Sequence, residues 1–167
     1  VGPGESAALS IADELDISRG DCIASPGTRP ALSDQFKARV VWMDQQPLFA
    51  GRRYLFRSAF GQVPAELTRL TDSIDLSTFG RMAASKLELN DIGEVEVSLS
   101  RPVPFDPYAE QRVTGSFILI DRVTNATSGC GMILHSLRRA ENVHWQSIDI
   151  TREARARLLG QKPALVW

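Results

Sequence analysis

Histidine, cysteine and lysine are scarce in this sequence: among 167 residues there are two His, two Cys and three Lys. The histidines, His135 and His144, stand nine positions apart, and Cys22 and Cys130 have no C-x-x-C neighbour. Zinc centres need such ligands clustered at short spacing, so no metal site is expected. Both cysteines sit in Asp21-Cys22-Ile23 and Gly129-Cys130-Gly131-Met132. Those surroundings read as buried free thiols rather than as a disulfide. A phosphate cradle of the form G-x-x-x-x-G-K-[ST] is missing, as is a G-x-G-x-x-G opening a helix. Gly129-Cys130-Gly131 is only a G-x-G inside a strand-like stretch. No G-x-S-x-G nucleophile elbow occurs. Apolar runs fall short of the roughly 20 residues that span a bilayer. No basic stretch followed by an apolar one opens the chain. The expectation is a cytoplasmic protein with no membrane partner.

Charge is balanced, with 19 basic residues, 20 acidic and a net charge of −1. A bulk pull toward nucleic acid is therefore not expected. Paired carboxylates occur as Asp13-Glu14 and as Glu94 and Glu96. The second pair falls on the polar face of a strand, where carboxylates are ordinarily solvated, and nothing singles them out for acid–base work.

What the sequence does have is short alternating segments between Gly, Pro and Asp. With 43% hydrophobic and 23% charged residues it resembles an ordinary globular domain. Phe36, Ala38, Val40 and Trp42 fall on one face of a strand, with Lys37 and Arg39 on the other. Tyr54, Phe56, Ser58 and Phe60 repeat the pattern. Val95, Val97 and Leu99 point in, while Glu94, Glu96 and Ser98 point out. Leu67, Leu70 and Ile74 break period two once, a slip that a β-bulge absorbs. Phe117-Ile118-Leu119-Ile120 reads as a strand covered on both faces, and the Gly-rich Thr127–Leu134 stretch as backbone that bends or is closely approached. Ser6–Ala12 and Asp21–Ser25 read as further strands, the latter closed by a turn at Pro26-Gly27. Many short strands without a long helical pattern predict an all-β barrel or sandwich.

The C-terminal stretch differs. Thr151–Leu159 reads as one short helix, capped by Thr151 and stopped at Gly160. Pro163 follows, and Ala164-Leu165-Val166-Trp167 reads as the start of a strand. Arg138-Arg139 with His144-Trp145 interleaves basic and aromatic groups in the manner of a nucleic-acid contact. The preferred reading is a surface linker whose Trp145 docks on the barrel.

The run Ile17-Ser18-Arg19-Gly20-Asp21-Cys22-Ile23-Ala24-Ser25-Pro26-Gly27 resembles the end of the second barrel of translational GTPases such as elongation factor Tu. Phe36–Met43 resembles the first strand of their third barrel, and Asp121–Thr127 with Gly129–Ile133 its closing hairpin. Within that superfamily, Asp121–Thr127, His135–Ala140 and Asn142–Gln146 are similar to the large, GTP-binding subunit of bacterial sulfate adenylyltransferase. Gly160–Trp167 resembles the entry to an adenylylsulfate kinase domain.

The resemblance implies residues 1–30 as the end of a domain II-like barrel and 31–135 as an antiparallel Greek-key, domain III-like barrel. Residues 136–167 would be a linker, a short helix and a first strand leading to a kinase. It implies a parent that uses GTP, ATP and magnesium, with no catalytic, cofactor or metal residue in this stretch. Its partners would be the parent's own GTPase domain and a small catalytic subunit. Expected contact residues are Arg52, Arg53 and Arg57 on the barrel, with Arg138, Arg139 and Trp145 in the tail. The rival reading, a translation-factor barrel that binds charged tRNA, is disfavoured by the near-zero net charge.

Overall fold

The computed structural model describes residues 2, 5–8, 10–11, 15–18, 20–25 and 27–137. Among these residues nine strands follow one another: β1 (Ala31–Trp42), β2 (Leu48–Phe49), β3 (Arg53–Ser58), β4 (Gly61–Ile74), β5 (Arg81–Ala83), β6 (Lys86–Leu87), β7 (Ile92–Phe105), β8 (Ser116–Asp121) and β9 (Thr127–Ser136). No helix occurs among the described residues. Six strands close a ring in the order β1-β7-β4-β3-β8-β9, with β9 returning to β1, and every pairing is antiparallel. β3, β4 and β7 are successive neighbours and β1 lies beyond β7, which is Greek-key order. Closure leaves no open edge around the ring. β5 extends β4 outward, and β2 with β6 forms a separate ribbon.

Period two fills the interior. Phe36, Ala38, Val40 and Trp42 are fully buried, joined by Tyr54, Phe56, Val97, Leu119 and Ile133. The rings interlock: Phe36 meets Phe105 edge-on at 4.7 Å, and Phe56 stacks on Phe117 at 4.5 Å. Such pairs contribute about 0.5–1.5 kcal/mol beyond their burial. The β8–β9 register sets Phe117 opposite Gly131, and the Phe117 ring fills the space that any side chain there would need. The expected close approach along Thr127–Leu134 is this contact, repeated where Trp42 comes within 3.1 Å of the place a Gly129 Cβ would take.

Several details depart from the sequence reading. The single slip expected around Leu67 and Leu70 is two, between Leu67 and Arg69 and between Leu70 and Asp72. Phe60 lies in the two-residue turn of the β3–β4 hairpin rather than on a strand. The described residues of 6–12 and 21–25 form no strand. A strand exists only within a ladder, and no described backbone forms a ladder with theirs; Ile11, Leu15, Ile17 and Ile23 stay exposed. A turn does form at the end of this stretch, closed by the Thr28 N–H on Ser25 O at 3.1 Å. Both thiols are free, but Cys22 is exposed and Cys130 half-buried, because Cys130 points to the outside of β9. On β8, Phe117 and Leu119 are buried, whereas Ile118 and Ile120 are only half-covered on the outer face. The helix expected at Thr151–Leu159 and the strand start at Ala164–Trp167 lie outside the described residues.

Candidate docking surface

Two outer faces of the barrel carry its charge, and they are built differently. On the first, β1 and β7 pair so that Arg39 stands opposite Glu94, and β5 brings Arg81 alongside. Glu94 is 2% exposed and is held by Lys37 Nζ at 3.1 Å, Arg39 Nη2 at 3.1 Å and Arg81 Nη2 at 2.9 Å. The solvated carboxylate expected from strand alternation is thus a buried ionic hub, covered by the three cationic side chains that bind it. Burial pushes its pKa up, but hydrogen bonds from Lys37 and Arg39 and the charges of Lys37 and Arg81 outweigh this and hold it below the usual carboxylate range. Its neighbour Glu96 remains half-exposed, 3.9 Å from Arg69.

The second face runs over β3, β4 and β7. Arg53 and Arg57 alternate with Leu55 on the outside of β3. Arg53 pairs with Glu66 at 3.0 Å. Arg57 forms no ion pair among the described residues; it shares a polar cleft of about 540 Å³ with Arg101, Ser58 and Gln62. Arg122 joins Arg53 and Glu66 around a smaller hollow of about 280 Å³. Around these two hollows the lining residues include one carboxylate, Glu66, and four guanidiniums. Sequence reading missed Arg101 and Arg122, which reach it only through the β4–β7 register and the β8–β9 turn.

That turn explains the Asp121–Thr127 motif. Asp121 Oδ1 accepts from the Thr124 and Val123 N–H groups, both at 2.8 Å, and Asn125 takes a positive φ of 57°. These hydrogen bonds lower the Asp121 pKa.

Arg52 does not join Arg53 and Arg57. It turns toward the barrel rim, 5.8 Å above the Tyr54 ring, and its Nη1 donates to Pro47 O. Tyr54 packs edge-on against Trp42 at 5.6 Å, and its buried hydroxyl has no hydrogen-bond partner among the described residues. Burial pushes its pKa up to about 12; the Arg52 charge opposes this and Asp44 and Asp121 reinforce it. Arg138, Arg139 and Trp145 lie outside the described residues. Among the described residues no group of three or more His, Cys, Asp or Glu could hold a metal ion, and no helix is long and apolar enough to cross a membrane.

A closed six-stranded antiparallel barrel in this Greek-key order is the fold class to which the described residues belong. Sup35 complexed with GDP has a similar fold, with a TM-score of 0.61 at 14% identity over 68% of this chain and 28% of that one. The family described as GTP-eEF1A C-terminal domain-like matches residues 35–134, and the chain belongs to it. Among its relatives are the bifunctional enzyme NodQ of Rhizobium sp. (strain N33), 48% identical over 98% of this chain, and the bifunctional enzyme CysN/CysC of Xylella fastidiosa, 45% identical over the same share. Sulfate adenylyltransferase subunit 1 of Alteromonas mediterranea is 38% identical over 89%. The chain spans 25%, 26% and 36% of the length of these three relatives respectively.

Proposed function

We propose that this barrel is a docking module of a GTP-dependent sulfate adenylyltransferase large subunit that also carries an adenylylsulfate kinase. In this reading residues 1–30 finish a preceding barrel and the residues after 135 lead toward the kinase. In the same reading GTP, ATP and magnesium belong to other parts of the parent. Adenylyl sulfate formation is strongly uphill, which gives a reason to couple GTP hydrolysis to it, in this reading through a separate small catalytic subunit. A rigid barrel held by both would carry a nucleotide-driven domain shift from one to the other.

The observation that carries this reading is the set of guanidiniums without an ion pair among the described residues, Arg57, Arg101 and Arg122, on one face of a barrel in a chain of net charge −1. Elsewhere on the barrel, cations such as Lys37 and Arg81 are spent on the protein's own carboxylates. An acidic surface on the small subunit would complement these arginines, with Arg138 and Arg139 extending the contact.

The double reversal Arg53→Glu with Arg57→Glu, made in the full complex, tests this. Both side chains are exposed, so the barrel should stay folded. Affinity for the small subunit, measured by calorimetry, should fall at least about tenfold, and GTP-driven adenylyl sulfate synthesis should fall with it. Unchanged affinity together with unchanged coupling would remove the proposal.

A further inference from the structure

The smaller hollow on the arginine face lies where the β4–β7 ladder stops. The last rung joins Ala65 to Leu99. The next β4 residue, Pro64, has no N–H to give, and Ser100 pairs with neither β4 nor β1. On the other side Tyr54 pairs with Asp121, so Arg53 and Arg122 stand side by side at the following step of two antiparallel strands. Arg53, Pro64, Glu66, Ser98, Ser100 and Arg122 line the space, which measures about 280 Å³. Pockets for drug-sized ligands begin at roughly 300 Å³, so the size suits a side chain rather than a nucleotide.

Two guanidiniums and one carboxylate leave this hollow one positive charge in excess. Glu66 takes only the Nε of Arg53, at 3.0 Å. The Nη groups of Arg53, the Arg122 guanidinium and the Ser98 and Ser100 hydroxyls form no hydrogen bond or ion pair among the described residues. The backbone that carries Arg122 is held in place. Asp121 N–H donates to Ala126 O at 2.9 Å, Asn125 N–H to Asp121 O at 3.0 Å, and Thr124 Oγ1 to Asp121 Oδ1 at 3.1 Å. A turn fixed in this way lowers the ordering cost of a contact made through Arg122.

We propose that this hollow is the anchor of the docking face and seats one aspartate or glutamate side chain of the partner, with an apolar neighbour of that residue against Pro64. Which protein presents the carboxylate rests on the docking reading above; that it is a carboxylate follows from the hollow. One carboxylate neutralises the excess charge, and planar guanidiniums suit its two oxygens. A phosphate dianion would repel Glu66 more strongly. Arg57 and Arg101 line the neighbouring cleft and take no part in this seat.

In the 167-residue chain labelled with nitrogen-15, the Arg122 Nε–Hε resonance, assigned by Arg122→Gln, should shift and saturate with the capped dipeptide N-acetyl-Leu-Glu-amide, while that of Arg57 stays in place. Affinity read at the Ser98 and Ser100 amides should fall at least about fivefold on Arg122→Gln and less on Arg122→Lys. Circular dichroism checks that the barrel stays folded. A response without saturation, an equal response to N-acetyl-Leu-Gln-amide, or tighter binding of inorganic phosphate would overturn the seat. In the full complex, Arg122→Gln should lower affinity for the small subunit about tenfold, and Arg101→Gln less than about threefold. If Arg53→Glu with Arg57→Glu weakens the complex and Arg122→Gln does not, the anchor falls and the docking reading stands. If the dipeptide saturates the seat and neither variant alters the complex, the docking reading falls instead.

Discussion

The two charged faces of the barrel use the same residue types to opposite ends. Around Glu94, three cations converge on one buried carboxylate, and β1, β7 and β5 are tied together. Around the two hollows beside β3, four arginines stand with a single carboxylate among the lining residues. The first arrangement is committed to the fold, and the second is left open to something outside it. Charge count alone does not separate them. What separates them is whether the register supplies an acid beneath the cations.

Three substitutions break or sharpen this contrast. The largest effect belongs to neither charged face but to the β8–β9 pairing that closes the barrel between them. Gly131→Ala would push a methyl into the Phe117 ring and displace it from Phe56, and should cost on the order of 3 kcal/mol in chemical denaturation. Next, Glu94→Gln leaves Lys37, Arg39 and Arg81 facing one another. Its cost should be about 2 kcal/mol, since the partners are partly hydrated. The folded-state pKa of Glu94 is lowered, so the ionised carboxylate stabilises the fold above its unfolded-state value. That contribution should disappear as pH falls through the folded value, and the Glu94→Gln variant should lack this part of the acid limb. Smallest is Arg57→Ala, which should shift the unfolding free energy by less than about 0.5 kcal/mol because Arg57 has no ion pair among the described residues to lose. A loss as large as that of Glu94→Gln would erase the distinction between the faces.

Legibility in the sequence followed the same division. Phe36, Val40, Trp42, Val97 and Leu119 could be placed inside from alternation alone, because period two is a local property. Glu94 could not. Alternation puts it outside, and its burial depends on where β1 lands in register and on Arg81 arriving from a strand only three residues long. Arg101 and Arg122 were invisible for the same reason: their company on the β3 face is set by pairings across the barrel. Ser6–Ala12 and Asp21–Ser25 show the reverse failure. Their residues have strand character, but a ladder needs a neighbour, and propensity does not provide one. Of the expected contact residues, Arg53 and Arg57 lie together because they are four apart on one strand, while Arg52 turns to Tyr54.

The Leu137 N–H donates to the Gln35 carbonyl at 2.9 Å, so the first and last strands meet where the chain enters and leaves the ring. A tether pulling on both ends would therefore peel rungs bond by bond, those of β1 to β7 at Ala31–Ser33 and the β1–β9 rung at Gln35, instead of shearing all the rungs at once. The rest of the barrel would feel little of that tension. A body attached in this way swings as one piece with its anchor, which is how a shift of that anchor would reach whatever is docked on the barrel's side.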